Sequence, residues 1–213
     1  MIQSFFPFFL FLLFSPLIEP AFFNLLCVVM ISVIKAPITD QKFLILDAPT
    51  SDTLPKYIDV LRKENVAHLV RICHRQTHDG RTHEYDADDL HKETGIQVID
   101  DIKFEDGGVP SPEAVQRWLH LAEDARRHGT TLGVHCVAGI GRAPVMVTLS
   151  LVESGMDPLD AILYIRQHRR GALNKTQLRF IEAYNARSSR RKSWLGWLRK
   201  TTKAKRKREE KKI

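Results

Sequence analysis

The stretch Thr131 to Ala143 constrains the fold more than any other part of the chain. Thr131 to Val134 is a short apolar run that reads as a buried strand. His135-Cys136-Val137-Ala138-Gly139-Ile140-Gly141-Arg142 then forms a glycine-punctuated loop, and Pro144 stands early in a predicted helix, where a proline's missing N–H has no role to fill. Five residues separate Cys136 from Arg142. A loop of this length at a helix N-terminus can turn its backbone N–H groups inward and cradle a phosphate-sized anion. Arg142 closes such a cradle with a bidentate contact to two oxygens. The same positive field favours a thiolate at Cys136, so the stretch predicts a nucleophile at the base of an oxyanion site. A buried cysteine in a plain strand-to-helix turn would explain neither Gly139, Gly141 nor the arginine.

Around this unit, strand and helix patterns alternate from about Lys35 to Ala186. Lys42–Leu46, Val66–Ile72 and Ile96–Ile99 are predicted strands. Leu54, Tyr57, Ile58 and Leu61 recur at helical spacing after Ser51, Asp52 and Thr53. Ser111 caps a helix that carries Val115, Trp118, Leu119 and Ala122 on its apolar face, and helices are predicted over Ala143–Glu153, Pro158–His168 and Lys175–Ala186. Such alternation predicts an α/β fold with a central, mainly parallel sheet flanked by helices. Cys136 then sits at a strand's C-terminal end, where such sheets bind ligands.

The two ends differ from this body, so three parts are expected: an apolar extension over 1–34, a catalytic domain over 35–186 and a basic tail over 187–213. The first 34 residues carry Glu19 as their only charge. A bilayer span takes about 20 apolar residues, but Pro7, Pro16, Glu19 and Pro20 interrupt the run, and no basic region precedes it as in a secretory signal. A membrane anchor, a signal and a working start at Met30 all remain open on composition. The net charge of +7 comes from the tail, which holds 13 Lys and Arg against 2 Asp and Glu, leaving 19 basic against 23 acidic residues elsewhere. Trp194, Leu195, Trp197 and Leu198 among these cations suit an anionic membrane surface. Lys205-Arg206-Lys207-Arg208 suits a nuclear signal as well; nucleic acid is not the expected partner. Cys27, Cys73 and Cys136 form no disulfide framework and fit a reducing compartment, so the chain is expected in the cytoplasm, peripheral on a membrane, with the nucleus as the alternative. Oligomeric state is not legible.

A phosphocysteine mechanism also needs an acid for the leaving oxygen and then a base for water. Phe104-Glu105-Asp106-Gly107-Gly108 supplies adjacent carboxylates in a loop before a helix, with Asp106 the first candidate and Glu105 the second. Asp100 and Asp101 read as solvated loop acids. Cys73, His74, His78, His83 and His91 are irregularly spaced and match no zinc pattern, so no metal and no cofactor is expected. His135 is expected to orient the loop through hydrogen bonds rather than to act as a base.

The Cys-x5-Arg loop, as HCVAGIGRAPV, resembles the active-site loop of cysteine-dependent dual-specificity phosphatases, and most closely that of the phosphatases of regenerating liver (PRL, type IVA protein tyrosine phosphatases). Phe43-Leu44-Ile45, Leu69-Val70-Arg71-Ile72-Cys73, Phe104-Glu105-Asp106-Gly107, Ile165 to Ala172 and Asn174-Lys175-Thr176-Gln177-Leu178 resemble family segments too. The similarity begins a few residues after Met30, which favours Met30 as the working start. The resemblance implies Cys136 as nucleophile, Arg142 as phosphate-binding arginine, Asp106 as general acid, and the amides of Val137, Ala138, Gly139, Ile140, Gly141 and Arg142 as the phosphate cradle. It implies that Cys73 forms a reversible disulfide with Cys136. The substrates implied are phosphotyrosine, phosphoserine or phosphothreonine proteins, or a phosphoinositide. It also implies a regulatory alternative, in which the active-site face binds a cyclin M-type magnesium transporter.

Three positions qualify the resemblance. Ala143 stands where most Cys-x5-Arg phosphatases have Ser or Thr; the family shares this alanine, and slow hydrolysis of the phosphocysteine is expected. Ile102-Lys103 replaces the Trp-Pro pair that the family usually carries before the phenylalanine. The sequence ends Lys211-Lys212-Ile213 without the family's usual prenylation box, so membrane contact is expected from the basic, tryptophan-bearing tail.

Overall fold

Side-chain alternation along the central strands explains the layering. In a strand, successive side chains point to opposite faces, and in Lys42–Leu46 both faces are apolar. Phe43 and Ile45 join one buried cluster, and Leu44 and Leu46 join the other. A strand buried on both sides needs cover on both sides. The computed structural model describes residues 30–73, 77–78, 81–82 and 85–184 and supplies that cover. His74 and His83 of the histidine-rich stretch, Cys27, most of the apolar extension and the basic tail lie outside these residues.

The elements in chain order are β1 (Ile31–Lys35), β2 (Lys42–Leu46), α1 (Leu54–Lys63), β3 (Val66–Arg71), β4 (Thr77–His78), β5 (Arg81–Thr82), α2 (Ala87–Thr94), β6 (Gln97–Ile99), α3 (Pro112–Arg127), β7 (Thr131–His135), α4 (Arg142–Glu153), α5 (Pro158–His168) and α6 (Lys175–Ala183). The main sheet runs β1-β2-β7-β3-β6, and β4 pairs with β5 in a separate ribbon. β2, β7, β3 and β6 are parallel, and β1 alone is antiparallel. The mainly parallel sheet flanked by helices is as the alternation predicts.

One cluster, with Leu54, Tyr57, Ile58 and Leu61 of α1 and Leu90 of α2, covers one face. The other is larger and joins α3, α4, α5 and α6 to the opposite face. α4 is buried from Arg142 through Val152, as its almost uncharged sequence requires. The fully buried Trp118 of α3 satisfies its indole N–H on Ser150 Oγ of α4 at 2.8 Å. Ser111 caps α3 by accepting from the Ala114 N–H at 3.2 Å.

Two parts of the fold stand apart from the sequence pattern. The boundary between residues 34 and 35 falls inside β1, because Ile31–Lys35 pairs along its whole length with β2. The apolar composition that groups these residues with the extension also suits an edge strand. The polar stretch before Gly95 contains α2, which buries only Leu90 and therefore shows little periodicity. Asp86 caps it through the N–H groups of Asp88 and Asp89, and Gly95 ends it in the left-handed conformation.

Candidate active site

The loop from Cys136 to Gly141 joins β7, buried at all five residues, to the buried α4. Its carbonyl oxygens are all occupied from the outside. The Ala48 N–H donates to Val137 O at 2.9 Å, and the Leu173 N–H to Ile140 O at 2.9 Å. Arg169 donates from Nη2 to Ala138 O at 3.2 Å and from Nε to Gly139 O at 3.0 Å. His135 Nδ1 approaches Cys136 O at 3.4 Å, and Val145 N–H takes Gly141 O within the helix. In a trans peptide, the C=O of one residue and the N–H of the next point in opposite directions. No cis peptide bond occurs among the described residues. With these six carbonyls engaged, the N–H groups of Val137 through Arg142 point to the opposite side of the loop.

Gly139 is the position where this packing admits no side chain. Its φ is +66°, and a Cβ there would lie 2.2 Å from Arg169 Nη2 and 2.5 Å from Leu46 O.

Arg142 is the first residue of α4 and is 4 % exposed, yet it faces a carboxylate that is 82 % exposed: Nε lies 3.2 Å from Asp106 Oδ1. The approach is off the N–H axis, so it is a charge contact rather than a hydrogen bond. Nη1 donates to Phe104 O at 3.3 Å. Asp106 is thus brought against Arg142, at the end of the loop that Cys136 begins, from a loop far away in sequence. Glu105, the second candidate acid, is exposed, and its carbonyl closes the turn by accepting from the Gly108 N–H at 3.0 Å.

Beneath the site runs a polar network. Arg71, buried at the end of β3, donates from Nε and Nη2 to the two oxygens of Asp100 at 2.8 and 2.5 Å and from Nη1 to Tyr85 O at 3.1 Å. Tyr85 Oη lies 2.9 Å from His135 Nε2. Because a carbonyl can only accept, Nδ1 carries the proton toward Cys136 O and Tyr85 donates to Nε2. Burial pushes the His135 pKa down to about 3, so the ring is neutral and orients rather than titrates. The hydrogen bonds from Arg71, and then from Lys103, hold the Asp100 carboxyl well below the usual carboxylate range. Asp100 is therefore not the solvated acid expected from sequence. Asp101 is nearer that description, in an exposed pair with Arg117 at 2.8 Å.

Cys73 follows β3 and Cys136 follows β7, adjacent parallel strands in which Arg71 lies opposite His135 and the Ile72 N–H bonds to His135 O. The two cysteines are buried at neighbouring strand ends, and neither is in a disulfide.

Sequence reasoning assigned no role to three residues that build the site. Arg169 braces two cradle carbonyls and also donates to Met30 O at 2.9 Å. Burial lowers its pKa against the opposing charges of Asp47 and Cys136, and as a guanidinium it stays cationic. Asn174 and Gln177 cap α6 reciprocally, and their amides reach Gly107 O at 2.9 Å and Gly108 O at 3.1 Å. The only signal in the sequence was their place in segments resembling the family.

The chain matches the family model described as a DSP-PTPase phosphatase fused to NAD+ kinase over residues 61–188. It is 44% identical to the human protein tyrosine phosphatase type IVA 3 over 146 residues, spanning 68% of this chain and 79% of the relative. It is 46% identical to the protein tyrosine phosphatase PRL-1 of Leishmania major over 154 residues, spanning 68% of this chain and 82% of the relative. A solved protein tyrosine phosphatase from Leishmania major superposes with a TM-score of 0.61 at 39% identity, covering 73% of this chain and 98% of that one. With the strand, loop and helix of the site inside residues 61–188 of the family-model match, and relatives of this identity covered over most of their length, the chain belongs to the protein tyrosine phosphatase type IVA (PRL) family, and it is a phosphatase.

Proposed function

We propose that this chain hydrolyses phosphomonoesters of proteins, phosphotyrosine foremost, through a phosphocysteine at Cys136. The observation that carries this reading is the set of six engaged carbonyls, which turns the N–H groups of Val137 to Arg142 to the other side of the loop and supports their reading as a phosphate cradle. A phosphoryl group in the cradle accepts from the amides of Val137 to Arg142, and Arg142 takes two further oxygens. Its negative charge replaces that of Asp106 at Arg142, and the released carboxylate takes up a proton from solvent and faces the leaving oxygen as the acid. The Cys136 thiolate then attacks phosphorus, the ester P–O bond breaks, and the leaving oxygen takes a proton from Asp106. In the second step water attacks phosphorus, Asp106 accepts its proton, and the P–S bond breaks with the electron pair returning to sulfur. Ala143 offers no hydroxyl to the departing sulfur, so this step is slow. A peroxide converts the Cys136 thiolate to a sulfenic acid, and the Cys73 thiol displaces water from it to form a reversible disulfide. The neighbouring strand ends support that pairing.

The test is mass analysis of acid-quenched protein after mixing with a phosphotyrosine peptide, beside phosphate release from a panel of phosphopeptides and phosphoinositides. A phosphoryl group on the Cys136 peptide is expected, and release fastest from the tyrosine peptides. Hydrolysis that survives Cys136→Ser would overturn the assignment. The apolar Val137 and Ile140, 39 % and 40 % exposed on the cradle, favour a second reading in which the same face binds a regulatory partner of the kind the family resemblance implies. Partner capture that is lost while hydrolysis persists, in variants of those two residues, would support it.

A further inference from the structure

We propose that Lys103 is a positioning residue for proton transfer: its ammonium clamps the entering limb of the acid loop so that Asp106 is held over the cradle. The proposal rests on the reading of Asp106 as the general acid. Ile102 and Phe104 are buried in the core. Lys103 lies between them, and its Nζ donates to Cys73 O at 2.7 Å and to Asp100 Oδ1 at 2.8 Å. One side chain thereby joins three places: the chain after β3, the chain after β6 and the start of the acid loop.

The anchor is firm because Asp100 is itself held in a fork by Arg71, which is buried. Lys103 is 25 % exposed, and a charged contact so shielded is weakened less by solvent than a surface pair. The leaving limb of the same loop is clamped independently, with Gly107 O and Gly108 O held by Asn174 and Gln177. Asp106 stands between the two clamps and is exposed at its own position, so its place over Arg142 is set by the limbs that carry it.

Lys103 stands where the family pattern described above has a proline. A proline restrains a loop through its own ring, whereas here two charge-assisted hydrogen bonds across the fold do so. Both acceptors lie just beyond the ends of β3 and β6, so the two bonds tie the start of the acid loop to the sheet, and on this proposal Lys103 acts through Asp106.

The test uses the full chain and kcat/KM for aryl phosphates, which reports the steps through cysteine phosphorylation and is blind to slow hydrolysis. Leaving phenols with pKa values of about 7 and about 10 are compared, because only the weaker acid needs the proton. Lys103→Met is expected to lose roughly tenfold or more on the poor leaving group and less than about twofold on the good one. Added to Asp106→Asn, it should cost less than about twofold on either substrate, because its effect runs through the same carboxyl. Lys103→Arg, which keeps charged donors, should recover most of the loss.

An equal loss on both substrates, an additive loss in the Asp106→Asn background, or no loss at all would overturn the proposal. If Lys103→Met does not fold, Lys103→Gln, which keeps one donor, gives the same comparison. Should Asp106→Asn itself show no dependence on the leaving group, the reading of Asp106 fails. Should it show that dependence while Lys103→Met does not, the proposal about Lys103 fails alone.

Discussion

The phosphate cradle and the acid loop face each other across one site, but they are built in opposite ways. The cradle is set in the core, between a strand and a helix buried almost throughout, and each of its six carbonyls is occupied. The acid loop lies on the rim, and its side-chain tethers are Lys103, Asn174 and Gln177, with Arg142 of the cradle reaching Phe104 O and Asp106 exposed among them. Substrate binding is therefore tied to folding, while proton transfer depends on a few exchangeable side chains. Such a build lets the chain keep a cradle loop that resembles the family's while Ile102-Lys103 departs from the pattern that the resemblance implies.

Three variants should sharpen or break that contrast. The largest effect is expected on the rim, and only for poor leaving groups: Asp106→Asn should lower kcat/KM by about 10²–10⁴-fold for a phenol of high pKa and far less for a good leaving group. A uniform loss would show that Asp106 shapes the cradle instead. Next comes Arg169→Ala, which strands two buried carbonyls at about 1–3 kcal/mol each. About 100-fold in kcat/KM should be lost, equally for all leaving groups, with a fall in the thermal midpoint; a loss graded by leaving group would erase the distinction. The smallest effect is expected from Ala143→Ser, a buried change worth about one hydrogen bond, or roughly fivefold. It should speed decay of the phosphocysteine in single-turnover quench experiments, and an unchanged or slower decay would overturn the expectation that Ala143 slows this step.

How much of this was legible depended on sequence distance. The strand, loop and helix around Cys136 are contiguous, so spacing alone revealed them, and the apolar faces of α1 and α3 followed from local periodicity. Asp106 could be nominated because its loop chemistry is local, but its partner Arg142 lies far along the chain. Arg169 was not legible, since a cation at a helix end looks the same whether it faces water or two carbonyls of a distant loop. Asp100 was misjudged for the same reason: nothing near it in sequence announces that the buried Arg71 will reach it. β1 was hidden by its apolar surroundings, and α2 by burying a single side chain.

The bond from Arg169 to Met30 O has a further consequence. Through one guanidinium, the residue preceding the edge strand β1 shares a donor set with the floor of the phosphate loop. Local opening of that edge and loosening of the loop are then parts of one cooperative unit. An oxyanion that binds only the ordered loop must, by mass action, also protect the first strand from fraying. Occupancy of the active site and order at the far edge of the sheet are coupled populations, although no substrate atom need approach β1.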